Sequence, residues 1–506
     1  MTDTYINTTI QTDDPSTDAF DMTGSGDTLF LASTGSLVAL GSGSNGLSMQ
    51  NAGEIATLDG TVYSTNGYGV AASTAAGSHI TVNGEVDSAT GDGIYDLSLG
   101  SILLVNGSVD GGLDGIDAEG VYTVVTVNGS VSGFDYGIYA GANYQAIRVN
   151  GSIDASDQLG GYGIEIVAFG QDVDIGVKGD VYGETSGLEA TGTDTIVKNS
   201  GHISGGGGGF GAYGATGLTL VNDGAINGIQ VASSSNTSIQ NSGLISSDGP
   251  YAIQVSSLST ATFIENSGTV HGNLTVDSTS GVNIQNFGNW TGQFEIESSS
   301  NSVTNTGNIS NGINFGTISD STAGNSVTND GTIHGGIDFN TVGGTPGGDT
   351  LTNAGTIYGP VHMSTAETLT NTGTIHGNVY FASGTTTDSG DTFDNSNGIV
   401  LGTINGGGGY DTFIIGAGSN TYNPSGEFDH FDFGAGFGND IIDGFKTGTG
   451  HDYITFSGGD FTSYTELQTH MTQVGGNTII TLESGSTIEL HALTMAHLSS
   501  ADFVFG

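Results

Sequence analysis

Val127-Asn128-Gly129-Ser130-Val131, then Tyr136-Gly137-Ile138-Tyr139, then Ala146-Ile147-Arg148-Val149 ahead of Asn150-Gly151, make one complete unit of a longer repeat. The first segment is a strand end, a turn and a new strand. The second is a turn and strand, and the third leads back to the next Asn. Alternation within each short strand points Val127, Val131, Ile138 and Ile147 or Val149 inward and their neighbours outward. Gly93-Ile94, Gly115-Ile116 and Gly163-Ile164 repeat the middle segment.

Working outward, the phrase returns about every 22 residues between Asn51 and Asn395. Early copies are tight: Val82-Asn83-Gly84, Val105-Asn106-Gly107, Val127-Asn128-Gly129 and Val149-Asn150-Gly151. Later copies read as carrying one inserted residue, as in Asn199-Ser200-Gly201, Asn222-Asp223-Gly224, Asn305-Thr306-Gly307 and Asn353-Ala354-Gly355. Asn tolerates the left-handed backbone region and Gly permits a sharp turn. Stacked Asn amides can also donate to one coil and accept from another. This period suits three short strands and three turns, and leaves no room for a helix pair. The expected fold is all-β: a parallel right-handed β-helix of about 16 coils over residues 46–400, about 75 Å long at about 4.8 Å per coil. Residues 1–45 are expected to supply an N-terminal cap and the first strands.

The four basic side chains, Arg148, Lys178, Lys198 and Lys446, face 52 acids, a net charge of −48. Nucleic acid and anionic membrane both require a cationic surface, so neither is an expected partner. Such charge keeps an unfolded chain expanded and makes the folded one costly unless cations neutralise it. There is no cysteine, so stability must come from stacking or metal. The first ten residues show neither a basic nor an apolar region of a Sec signal, and no apolar run approaches a membrane span.

Past position 400 the pattern changes. Gly406-Gly407-Gly408-Gly409-Tyr410-Asp411-Thr412-Phe413-Ile414 fits the nonapeptide Gly-Gly-x-Gly-x-Asp-x-(apolar)-x. Gly416-Ala417-Gly418-Ser419-Asn420 echoes it nine residues on, and Asp429 falls in the Asp slot after nine more. Gly436-Phe437-Gly438-Asn439-Asp440 and Gly448-Thr449-Gly450-His451-Asp452 follow. Gly allows turns whose carbonyls converge, and Asp supplies charged oxygen, a donor set suited to Ca²⁺. Ser463-Tyr464-Thr465-Glu466 reads as a capping box, with Tyr464, Leu467, Met471 and Val474 following at helical spacing.

With Asn439-Asp440-Ile441-Ile442-Asp443-Gly444-Phe445, Ser486-Thr487-Ile488-Glu489-Leu490 and the closing Asp502-Phe503-Val504-Phe505, residues 402–506 resemble the C-terminal region of RTX proteins exported by the type I pathway. The resemblance covers about one fifth of the chain and implies a calcium β-roll over 401–460 and an uncleaved secretion signal over 461–506. It also implies a bacterial protein that is secreted, extracellular or surface-associated. The expected calcium residues are Gly407, Gly409, Asp411, Asn420, Asp429, Gly438, Asp440, Gly450 and Asp452.

Catalytic constellations are sparse. There is no His-Glu-x-x-His, and no Gly-x-Ser-x-Gly between strand and helix. Asp117 and Glu165 take equivalent slots two coils apart, about 10 Å, with Tyr139 between them, at the outer limit for an inverting glycosidase. Trp290 is expected to pack, Arg148 to point outward, and His271, His334 and His376 to share a slot without adjoining. Thr304, Thr328, Thr352 and Thr370 should form an outward rank. The function expected is a non-enzymatic structural or adhesive β-solenoid of the surface-layer, matrix-filament or adhesin type. Its expected partners are calcium, further copies of itself, a surface polysaccharide and the type I export machinery. The alternative is a polysaccharide-active lyase or glycoside hydrolase.

Overall fold

A computed structural model of the chain describes residues 1–506 apart from 74–75, 157–160, 167–169, 278–280, 317–323, 340–347, 365, 382–389, 426–427 and 449. It divides into two compact units, Met1–His271 and Gly272–Gly506. Each is a parallel β-solenoid, with about 18 turns in all rather than about 16. The difference lies partly in residues 1–45, which form coils in full register. Asp3–Ile6, Thr9–Thr12 and Phe20–Met22 pair with Thr28–Leu31, Ser36–Ala39 and Leu47–Met49.

In the first unit a coil carries three strands, as in Val124–Val127, Ser130–Gly133 and Tyr136–Ala140, the last two being fused into Leu244–Ser256 in the coil that begins at Ser238–Asn241. Equivalent strands stack in register, so one inward position reads Ile80, Leu103, Val125, Ile147, Ile175, Val197 along successive coils, all essentially inaccessible. Val127, Val131, Ile138, Ile147 and Val149 all lie in this core.

The recurring Asn occupies two different places. No residue is inserted in the later copies. The register aligns Val149 with Val177 and Val177 with Asn199, while the turn glycines stay aligned. In the early copies the Asn is the turn residue after the strand. In the later ones it has moved back one place and replaced the inward Val. Two ladders result. Asn83, Asn106, Asn128 and Asn150 form an exposed one, with Nδ2 to Oδ1 distances of 2.8 Å for each of the three steps. Asn199, Asn222, Asn241 and Asn266 form a buried one in the first unit, and Asn286 through Asn395 form another in the second.

The glycine also has a different cause from the one expected. From Asn83 to Gly373 neither the repeat Asn nor its Gly adopts a positive φ, Gly53 of the first copy being the exception at +73°. A Cβ at Gly107, Gly129 or Gly151 would instead collide with the carbonyl oxygen of the glycine one coil earlier, so Gly is set by close stacking.

In the second unit the strands shorten, as in Ser326–Asn329, Thr332–Ile333 and Ile337–Asp338. Trp290 is fully buried, edge-on to Phe294 at 4.6 Å, with its Nε1 donating to the Gly272 carbonyl at 2.9 Å. From Thr403 the coils carry two strands at a nine-residue step, and the core becomes aromatic, with Phe413 and Phe431 stacked at 5.2 Å.

The helix Tyr464–Thr469 is capped by Ser463, whose side chain accepts from the Glu466 N–H. Glu466 accepts from Thr462 instead of closing a reciprocal box on Ser463. The helix stops before Met471 and Val474, which lie in the strand Met471–Val474, antiparallel to Asn477–Thr481. The Gly475-Gly476 turn, with Gly475 at φ +61°, makes hairpin pairing the stronger alternative. Thr487–His491 and Phe503–Phe505 then join the final coil by pairing with Asn439–Asp443 and Tyr453–Phe456.

Candidate metal centre

The nine-residue step sends alternate strands to opposite sheets. Thr412–Ile415, His430–Phe433 and Tyr453–Phe456 stack on one side. Thr403–Asn405, Thr421–Asn423 and Asn439–Asp443 stack on the other. Asp411, Asp429 and Asp452 each precede a strand of the first group, so they form one column, and Asn420 with Asp440 forms the opposite one. Asp411, Asp429, Asp440 and Asp452 are at most 1% exposed.

Each carboxylate is held by backbone. The N–H of Asp391 donates to Asp411 Oδ1 at 2.9 Å, that of Asp411 to Asp429 Oδ1 at 3.0 Å, and that of Asp429 to Asp452 Oδ1 at 3.0 Å. Asn420 N–H donates to Asp440 Oδ1 at 2.9 Å, and Lys446 N–H to Asp452 Oδ2 at 2.8 Å. The second oxygens of Asp429 and Asp440 are buried without a hydrogen-bond partner. Burial, then the Asp411 charge, pushes Asp429 up to about 8, and burial pushes Asp440 up to about 7 and raises Asp452.

The glycines shape the turns between these acids. Gly407 and Gly409 lie ahead of Asp411 at φ +79° and +129°, and Gly450 lies ahead of Asp452 at +83°. Gly438, ahead of Asp440, has no room for a Cβ against the Gly418 carbonyl. The nine expected residues are therefore split between two columns. Hard carboxylate oxygens, two of them without a partner, fit a hard divalent cation such as Ca²⁺.

The column runs further back than expected, through Asp391, Glu367, Asp349, Asn325 and Asn301 on preceding coils. Glu367 N–H donates to Asp391 Oδ1 at 2.8 Å, and Ser364 N–H to Glu367 Oε2 at 2.6 Å. Burial, then the charge of Asp349, raises the Glu367 carboxyl to about 10, so it carries a proton at neutral pH. The signal was present in the chain, because an Asn, Asp or Glu stands directly before each of the stacked strands that begin at Ser302, Ser326, Thr350, Thr368, Thr392 and Thr412.

On the first unit, Tyr95, Asp117, Tyr139, Glu165 and Glu189 share one half-buried outward column. Burial and the charge of Asp92 raise Asp117 to about 7. Burial and Glu165 raise Glu189 to about 7, and Tyr136 hydrogen-bonds Glu165. Arg148 pairs with Asp174 at 2.6 Å. His334 and His376 are bridged by Tyr358, at ring separations of 4.9 and 4.6 Å. Thr304, Thr328, Thr352 and Thr370 stack as a rank.

No family profile matches the chain, and no curated protein matches it in sequence. Among the described residues, no helix is long and apolar enough to cross a membrane.

Proposed function

We propose that this β-solenoid is a non-enzymatic, calcium-folded structural or adhesive protein, exported by a type I system and working outside a bacterial cell. The observation that carries the reading is the pair of buried, partnerless carboxylate oxygens on Asp429 and Asp440, set in columns of stacked acids. Asp411, Asp429 and Asp452 would hold calcium on one side and Asn420 and Asp440 on the other, with Gly407, Gly409, Gly438 and Gly450 shaping the turns. When bound, the ion supplies positive charge to carboxylates whose charged form burial disfavours. The likeness of 402–506 to RTX C-termini supports export through the same region. Repeated polar faces suit association with further copies or with a surface polysaccharide.

A polysaccharide-active enzyme is the second reading, favoured by the outward acids Asp117 and Glu189, both raised to about 7, within the general-acid range. Electron microscopy of the purified chain in millimolar calcium, beside a glycan-turnover screen, separates the two. Layers or filaments without turnover are expected. Turnover abolished by Asp117→Ala or Glu165→Ala would reverse the choice.

A further inference from the structure

The first unit holds an acidic cluster remote in sequence from the C-terminal columns. Asp92 and Asp114 stand one place before the glycines of Gly93-Ile94 and Gly115-Ile116 on adjacent coils, and Asp117 follows three residues after Asp114. Register brings Asp92 and Asp114 together, and the strand Asp114–Ala118 carries Asp117 alongside. One side-chain oxygen from each lies within 4.8 Å of the others. Asp92 is 2% and Asp114 6% exposed, while Asp117 is half-buried.

The hydrogen bonding leaves this cluster short of positive partners. Asp114 N–H donates to Asp92 Oδ1 at 3.2 Å. Asp114 Oδ1 and Asp117 Oδ1 are buried and have no partner. A proton on Asp114 Oδ1 would become a buried donor, and the structure gives it no acceptor. The other charges acting on these three groups, Asp96, Glu119 and Asp135, are all acidic. The basic side chains of this unit, Arg148, Lys178 and Lys198, line a separate depression with Asp174 and Asp223. Three clustered carboxylates, two with a buried oxygen that makes no hydrogen bond and none with a cation beside it, are costly unless something positive enters.

We infer that Asp92, Asp114 and Asp117 form a divalent-cation site of their own on the first unit, of the hard, oxygen-liganded calcium class. Asp117 opens the site toward the outward face, where water can complete the coordination. The ion would cross-link two successive coils, and it would sit beside the Tyr95–Tyr139 column rather than near the C-terminus. The inference does not depend on the calcium reading of residues 402–506.

Flow dialysis of the full chain with calcium alone tests it, comparing wild type with Asp114→Asn, Asp117→Asn, Asp429→Asn and the control Asp135→Asn. Asp114→Asn and Asp117→Asn should each lose one bound ion per chain, or weaken it more than tenfold, without affecting the ion lost in Asp429→Asn. The double variant Asp114→Asn/Asp429→Asn should lose both. Asp117 is half-buried and outward, so its variant decides the matter even where Asp114→Asn does not fold. Unchanged calcium stoichiometry and affinity in Asp117→Asn would overturn the site, as would an equal loss in Asp135→Asn.

Discussion

Asn128 and Asn329 carry the same amide in the same kind of ladder, but Asn128 stands in solvent and Asn329 is sealed in the core. Asn329 Nδ2 donates to Asn353 Oδ1 at 2.7 Å, and its Oδ1 accepts from Asn305 at 2.8 Å. Asn329→Ala leaves both neighbours with buried, unmatched groups and should cost about 2–4 kcal/mol, whereas Asn128→Ala exposes its neighbours to water and should cost about 1 kcal/mol or less. Urea unfolding of both variants measures the contrast. Glu367 makes the second residue-scale prediction. Its carboxyl is raised from 4.5 to about 10, so the folded chain keeps a proton that the unfolded chain has released. That contribution is fully present below about pH 4.5 and is lost as pH rises through about 10, at up to about 1.4 kcal/mol per pH unit. At one fixed millimolar free-calcium concentration, wild type should melt lower at pH 9 than at pH 6, and Glu367→Gln should remove much of that decline.

At the scale of the element, the coil was legible because inward Val and Ile recur with strand alternation and the turn Gly recurs with coil spacing. The place of the Asn was not, because Val-Asn-Gly and Asn-x-Gly share their Gly and differ only in which side of the strand end carries the amide. The hairpin from Met471 was hidden because Tyr464, Leu467, Met471 and Val474 satisfy helical spacing, while the Gly475-Gly476 turn and pairing with Asn477–Thr481 decide the outcome. Asp349, Glu367 and Asp391, like Asp92 and Asp114, escaped notice because the repeat was anchored on Asn-Gly rather than on the residue preceding each strand. The repeat glycine gives a direct test. A Cβ at Gly331 would strike the Gly307 carbonyl, while one at Gly476 meets nothing within 4 Å. Gly331→Ala should destabilise by about 1–3 kcal/mol and Gly476→Ala should be neutral or slightly stabilising, read as thermal shifts.

Across the whole molecule, four basic residues against 52 acids make folding a problem of charge as much as of packing. The apolar core of stacked coils is continuous within each unit, but at the end of the second unit it is flanked by carboxylates that only protons or cations can neutralise. Under the proposed function, a cytosol poor in calcium would leave the chain expanded, and millimolar calcium outside would permit folding, in the range of about 10⁻⁴–10⁻³ M used by extracellular modules. The measurement that bears most directly on this is the far-ultraviolet circular dichroism and thermal melting of the full chain across free calcium at neutral pH. The β-sheet signal should rise with a midpoint in that range and collapse on chelation. The same signal and melting temperature in chelator as in calcium would contradict the account.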